Sequence, residues 1–363
     1  MTPASRFAQL TKTAAREAGF DLCGVAAFNE TEMRELAAFP AWIDSGYAGE
    51  MEYMKARGTD GRLKRAAPCS TAPWARSVIV CGMNYDTDQP YSTEVAGNRK
   101  NGWIARYAWS KQDYHDVLMS RLRQVETKLR VQALAEGVGD LTTRCYVDTG
   151  PHVERVYAKY AGVGWVGKNT CILNEKLGSW IFLGVILTSL ELSADLPAAD
   201  RCGTCTRCLE ACPTKALVGP YKLDATRCIS YLTIEKRGEI PVELRAQTGN
   251  HVFGCDICQD VCPWNDGTSR RPFASAPELQ PREGLVNPAL DWLAEMSRSE
   301  FQQTFKGSPI KRAKYAGLRR NAIVAMGNSR RTEFLPILDS LSNDEDASVA
   351  EHARWARERL EVS

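Results

Sequence analysis

Eight of the chain's thirteen cysteines fall in one ladder, Cys202-x-x-Cys205-x-x-Cys208-x-x-x-Cys212-Pro213, a lone Cys228, then Cys255-x-x-Cys258-x-x-x-Cys262-Pro263. Three closely spaced thiolates can seat three corners of a cubane cluster, while the cysteine followed by proline reaches a second cluster, as in two-cluster ferredoxins. On that logic Cys202, Cys205, Cys208 and Cys262 hold one 4Fe-4S cluster. Cys212, Cys228, Cys255 and Cys258 hold the other, with Cys228 standing in for the missing first cysteine of the second run. Zinc would use isolated C-x-x-C pairs instead. The other five, Cys23, Cys69, Cys81, Cys145 and Cys171, have no ligand spacing and read as small buried side chains.

A second centre of chemistry is Asp148, in Tyr146-Val147-Asp148-Thr149-Gly150-Pro151, where a strand ends just before a helix. A carboxyl there is either a turn or N-cap residue, or a general acid if a pocket closes over it. Chemistry alone favours the turn. Gly162-Val-Gly164-Trp-Val-Gly167-Lys168-Asn169 fits G-x-G-x-x-G and nearly fits a P-loop. Its context, a helix before it and an extended stretch after, suits a close-approach backbone segment better than a phosphate cradle. Only four histidines exist, His115, His152, His251 and His352, and none falls in a zinc-protease or corrinoid-ligand motif. From Gln302 to Thr332 eight cations occur without one acidic residue: Lys306, Lys311, Arg312, Lys314, Arg319, Arg320, Arg330 and Arg331. Such a run is either a phosphate-tracking surface or a solvated face.

The elements that must position these residues follow from periodicity. Phe7 to Gly19 reads as a helix, Ser77 to Tyr85 as a buried strand, and Leu141 to Val147 and Trp180 to Thr188 as further strands. Tyr114 to Leu134 reads as a long amphipathic helix with Val117, Leu118, Leu122, Val125, Leu129 and Val131 on its apolar face. Ser269 to Gly284 suits a linker. Leu318 to Met326, Glu333 to Leu341 and Ala347 to Leu360 read as helices, the first two separated by Gly327-Asn328-Ser329, in the manner of a helical-pair repeat.

The 363 residues, 44% hydrophobic and 25% charged, describe an ordinary globular chain of two or three domains. The expected class is α+β: an N-terminal α/β module over 1–196, a ferredoxin-like two-cluster insert over 197–268, and a linker with helical repeat over 269–363. A net charge of +2 says little by itself. With no apolar leader and its longest apolar run, Leu177 to Leu190, too short for a bilayer, the chain is expected in the cytoplasm, where clustered thiols stay reduced and bind metal.

Taken together these residues resemble the epoxyqueuosine reductase family. The resemblance rests on Gly19-Phe-Asp21, Arg106-Tyr107-Ala108 with Asp113-Tyr114-His115, Val147 to Pro151, Gly164 to Asn169, the ladder, Cys228 to Thr233, and Arg319-Arg320-Asn321-Ala322. It implies cobalamin bound in the N-terminal module beside one cluster, in a fold shared with reductive dehalogenases. Asp148 becomes the proton donor, and Asp148, Ile172, Leu183, Ser230 and Asp256 line the cobalamin pocket. Lys311, Arg312, Lys314, Arg319, Arg320, Arg330 and Arg331 grip the anticodon stem-loop of tRNA. The implied reaction is reduction of epoxyqueuosine to queuosine by a monomer fed from an external electron donor. Some members place a cysteine facing cobalt near the Arg106 motif; here Ile104 and Ala105 stand there. Rival readings are a dehalogenase-like corrinoid enzyme for a small molecule, a two-cluster electron carrier, and an RNA-binding protein with structural clusters.

Overall fold

A computed structural model describes residues 2–266 and 272–362, so the start of the expected Ser269 linker lies outside the described residues. The described chain packs as two compact units. One comprises residues 1–86, 114–205 and 263–278; the other comprises 87–113, 206–262 and 279–363.

The first unit is built on a four-stranded sheet in the order Leu22–Ala27, Ser77–Asn84, Ile181–Thr188, Thr143–Tyr146, with every pair antiparallel. Alternation sorts the side chains to two faces. Ala26, Val78, Val80, Val185 and Leu187 pack with Val156, Tyr157 and Ala161, from the helix Glu154–Tyr160 and its end. The row Val25, Ile79, Ile186 and Cys145 is set by register and lines the other face. Gly184 lets the Tyr114–Ala135 helix approach that sheet, since a Cβ there would stand 2.8 Å from Leu122. Leu118, Leu122, Val125 and Leu129 of this helix are fully buried, which contributes about 1.5–3 kcal/mol each. Val131, expected on the same stripe, is 64% exposed; two residues past Leu129 it has rotated off the face, and Ala133 continues the stripe. The opening helix runs Pro3–Glu17, earlier than expected, because the Thr2 hydroxyl accepts from the Ser5 amide as an N-cap and Pro3 suits the first turn.

The second unit centres on Trp103, Trp109, Phe253, Phe305 and the C-terminal helices. Trp103–Ile104 and His251–Phe253 pair in parallel. The helix Tyr315–Ser329 runs straight through Gly327-Asn328-Ser329, where a break was expected. Gly327 serves close packing, because a Cβ there would lie 2.9 Å from Ala356. Asn328 donates to the Arg245 and Gly249 carbonyls, and the helix ends at Arg330 in the left-handed conformation. The helices Leu335–Leu341 and Ala347–Glu361 follow.

Arg319 and Arg320 are only 7% and 2% exposed. Arg319 donates to the Ala294 carbonyl at 2.9 Å and to Asp344 at 2.7 Å. Arg320 donates to the carbonyls of Leu232, Lys236 and Gly238, and Asn321 to those of Thr233 and Val252. Leu232 and Thr233 end the Ile229–Ile234 helix, whose last carbonyls have no partner within the helix. The pair therefore anchors the segment after Cys228 and the strand before Cys255. The expected phosphate-gripping role does not fit Arg319 and Arg320, whose donors are spent inside the unit. Arg320→Ala, by stranding buried carbonyls, is expected to lower stability by about 2–4 kcal/mol in urea unfolding; a loss below about 0.5 kcal/mol, the level of a surface cation, would contradict this role.

Candidate active site

The strand Thr143–Tyr146 delivers the chain to a tight corner in the first unit. Asp148 takes φ +56°, a conformation Asp tolerates better than most residues, and the Thr149 amide turns back to the Val147 carbonyl at 2.6 Å. Gly150 presses on the Tyr146 ring, leaving 2.7 Å for a Cβ. Arg65 fastens the corner by donating to the Gly150 carbonyl at 2.9 Å. Asp148 does not cap the following helix: Val153 occupies the N-cap without a side-chain bond. The direction is reversed, with Glu154 in the first turn accepting from the Asp148 amide at 2.8 Å.

The Asp148 side chain is 69% exposed although protein surrounds the corner. Its Oδ2 accepts from the Tyr114 hydroxyl at 3.2 Å and lies 3.7 Å from His115 Nε2. Both partners open the long helix, whose positive end favours an anion. Tyr114 is held by stacking on Phe182 at 4.3 Å and on His115 at 4.0 Å. The His115 imidazole, 3.7 Å away, holds the Asp148 carboxyl below its ordinary range; burial opposes this, and Arg155 and Tyr114 add to it. Glu154 moves the other way. Burial, then the Asp148 charge, pushes its carboxyl up to about 8. Two neighbouring acids are thus driven apart, one ionised and one neutral near pH 7.

Ile172 belongs to the apolar cluster of this unit, and Leu183 packs against it. Ser230 and Asp256 belong to the second unit. Asp256 is buried, accepts from Trp103 Nε1 at 3.0 Å and the Arg106 amide at 2.7 Å, and is pushed up to about 6 by burial. The near-miss glycines behave as close-approach backbone: a Cβ on Gly164 would stand 2.3 Å from the Leu173 carbonyl, across the small hairpin Trp165–Val166 and Ile172–Leu173. Lys168 binds no phosphate-like cradle. It donates to the carbonyls of Gly203 at 2.7 Å and Cys205 at 2.9 Å, fixing the first turn of the ladder.

No disulfide joins any of the thirteen cysteines. Cys202 and Cys205 belong to the first unit and the other six ladder cysteines to the second. Cys208 and Cys258 sit on the short helices Arg207–Ala211 and Ile257–Asp260, which pack together. Cys212 Sγ accepts from the Ala216 amide at 3.3 Å. Burial, then Cys228, raises the Cys255 thiol, with Asp256 and Cys212 adding; burial and then Cys212 raise Cys228. Cys212, Cys228 and Cys255 therefore share one neighbourhood in which thiolates need compensating cations. An iron-sulfur core, larger than one ion, fits such a donor set. Among the described residues no three His, Cys, Asp or Glu side chains converge on a single ion's volume.

A four-stranded antiparallel unit bearing an acid corner, joined in one chain to a cysteine ladder, defines an iron-sulfur oxidoreductase. Residues 201–265 match the model of the 4Fe-4S double cluster binding domain, and residues 65–149 match that of "Epoxyqueuosine reductase QueG, DUF1730". The epoxyqueuosine reductase of Pseudomonas aeruginosa is 41% identical over 361 residues, 98% of this chain and 95% of that protein. A crystal structure of epoxyqueuosine reductase with an epoxyqueuosine-modified tRNA-Tyr stem loop is similar at TM-score 0.80 and 32% identity, covering 98% of this chain and 91% of that one. So is the Bacillus subtilis epoxyqueuosine reductase with its catalytic aspartate loop swung out of the active site, at TM-score 0.80, 31% identity and the same coverage. The chain belongs to the epoxyqueuosine reductase family. No helix among the described residues is long and apolar enough to cross a membrane.

No role at Asp148 followed from the sequence for Tyr114 and His115, and none for Glu154 or Arg65. A glutamate in the first helical turn after an acid corner was the one local signal for this arrangement. Because Glu154 has an ordinary value of 4.5 and is raised to about 8 here, its stabilising contribution is full below the lower value and lost as pH rises through the upper. Glu154→Gln is accordingly expected to flatten the decline of stability across that window and to gain on the order of 1 kcal/mol over the parent at about pH 9, by urea unfolding. Parallel pH curves for the two proteins would refute the assignment.

Proposed function

We propose that this chain reduces epoxyqueuosine to queuosine in the anticodon loop of tRNA, as a monomer using an external electron donor. Near full-length likeness to epoxyqueuosine reductases, one of them in complex with a modified stem loop, supports the substrate. The observation that carries the reaction is the Asp148 corner, an acid open to solvent with a histidine and a tyrosine at one oxygen.

Cobalamin, when bound, supplies a strongly nucleophilic low-valent cobalt that electrons from the clusters regenerate. Likeness to the family assigns Ile172, Leu183, Ser230 and Asp256 to the cobalamin pocket; Ile172 and Leu183 of the first unit would offer it apolar contact. Cys202, Cys205, Cys208 and Cys262 would hold one 4Fe-4S cluster, and Cys212, Cys228, Cys255 and Cys258 the other. Asp148 protonates the substrate oxygen as its bond to carbon opens. A relative's catalytic aspartate loop swings out of its active site, which supports a catalytic role for the Asp148 corner here.

The C-terminal helices act as a HEAT-like pair that receives the stem-loop. Lys311, Lys314 and Arg330 are exposed and are the phosphate contacts best supported; Arg312 and Arg331 are also at the surface but paired with Glu235 and Glu333. The test is anaerobic turnover of tRNA bearing epoxyqueuosine with cobalamin and a low-potential reductant, read by mass spectrometry as loss of one oxygen. Asp148→Asn should bind tRNA normally and lose about 10²-fold or more in kcat. No loss of oxygen with the parent chain, or full turnover by the variant, would overturn the corresponding part of the reading.

A further inference from the structure

Removing an epoxide oxygen has a proton count that one carboxyl cannot meet. Two carbon–oxygen bonds break, a carbon–carbon double bond forms, two electrons enter from the reductant through the clusters, and the oxygen leaves as water with two protons. Asp148 carries at most one of them. After the first transfer it is a carboxylate, and in the geometry seen here it already favours that form. A second proton must reach its oxygen within the same turnover.

Four groups besides His115 surround the corner. Glu154 faces the Asp148 amide rather than the carboxyl oxygens. Arg65 is engaged by the Gly150 and Tyr53 carbonyls, and both it and Arg155 are guanidiniums, which do not give up protons. The Tyr114 hydroxyl reaches Oδ2 at 3.2 Å, but a phenol with an ordinary value near 10 orients the carboxylate rather than recharging it. Of the groups around the corner, His115 combines a position beside that oxygen, 3.7 Å away, with an imidazole, the side chain that both gives and takes a proton, and it is 30% exposed, open to reloading from water.

We propose that His115 returns a proton to Asp148 during each turnover, so that one carboxyl protonates the substrate oxygen twice: once as the ring opens and once as the oxygen departs. His115 is thus a positioning and proton-supplying residue acting through Asp148, and the inference rests on the proton-donor reading of Asp148 given above. Proton flow runs from water to His115 Nε2, to Asp148 Oδ2, to the substrate oxygen. No charge accumulates at the corner, because each proton lost to substrate is replaced by one from the imidazolium.

The experiment compares the parent, His115→Gln and Asp148→Asn as full-length holoenzymes. In His115→Gln, kcat should fall by about tenfold per pH unit from pH 6 to 8, as supply reverts to free protons, while the parent stays flatter and KM for tRNA is unchanged. Added imidazole should restore much of the rate to His115→Ala. An activity-free reading comes from isotope-edited infrared titration of labelled aspartate: the signal missing in Asp148→Asn should titrate at higher pH in His115→Gln than in the parent, since the histidine holds that carboxyl down. An unchanged pH profile together with an unshifted carboxyl titration overturns the relay. Should Asp148→Asn turn over at the parent rate, the donor reading itself fails, and the two failures are told apart by that control.

Discussion

A buried thiol resists ionisation unless cations stand in its midst, and that constraint governs the larger part of this structure. Burial, then the neighbouring Cys228, pushes the Cys255 thiol toward its protonated form, and burial, then Cys212, does the same for Cys228. Around iron the same crowding becomes favourable, because each thiolate is neutralised by the core it binds. The protein's task is then to hold the cysteine-bearing backbones at fixed spacing. Lys168 does so for Gly203 and Cys205, and Arg320 with Asn321 does so for the segments that follow Cys228 and precede Cys255. Cations that look available for an outside partner are spent on carbonyls near the ladder.

The acid corner obeys a related rule on a smaller scale. Asp148 and Glu154 are close enough to repel, and the structure resolves the conflict by keeping one charged and the other neutral. The neutral glutamate fixes the backbone, while the charged aspartate faces Tyr114 and His115. The corner's left-handed φ at Asp148 is held by Arg65 on the Gly150 carbonyl and by Glu154 on the Asp148 amide.

Spacing made the ladder legible, since ligand separation is a local property of sequence. The sheet and long helix were legible for the same reason, through continuous apolar, β-branched runs in Ser77–Asn84 and Ile181–Thr188 and the period-3.6 pattern in Tyr114–Ala135. What failed to show was tertiary pairing. Arg319 and Arg320 carry the same letters as a solvated cation, and only packing reveals that they are interior. Gly327 resembles a helix breaker until Ala356 is seen against it. His115 precedes Asp148 by 33 positions, too far for any periodicity to connect them, and the antiparallel sheet brings their elements to one corner.

The direct measure of the central claim is the metal content of the chain purified and reconstituted without oxygen, with electron paramagnetic resonance after reduction. Two cubane clusters predict about eight iron and eight sulfide per chain, and a spectrum in which two reduced centres interact. Zinc in place of iron, or iron sufficient for a single cluster, would contradict it.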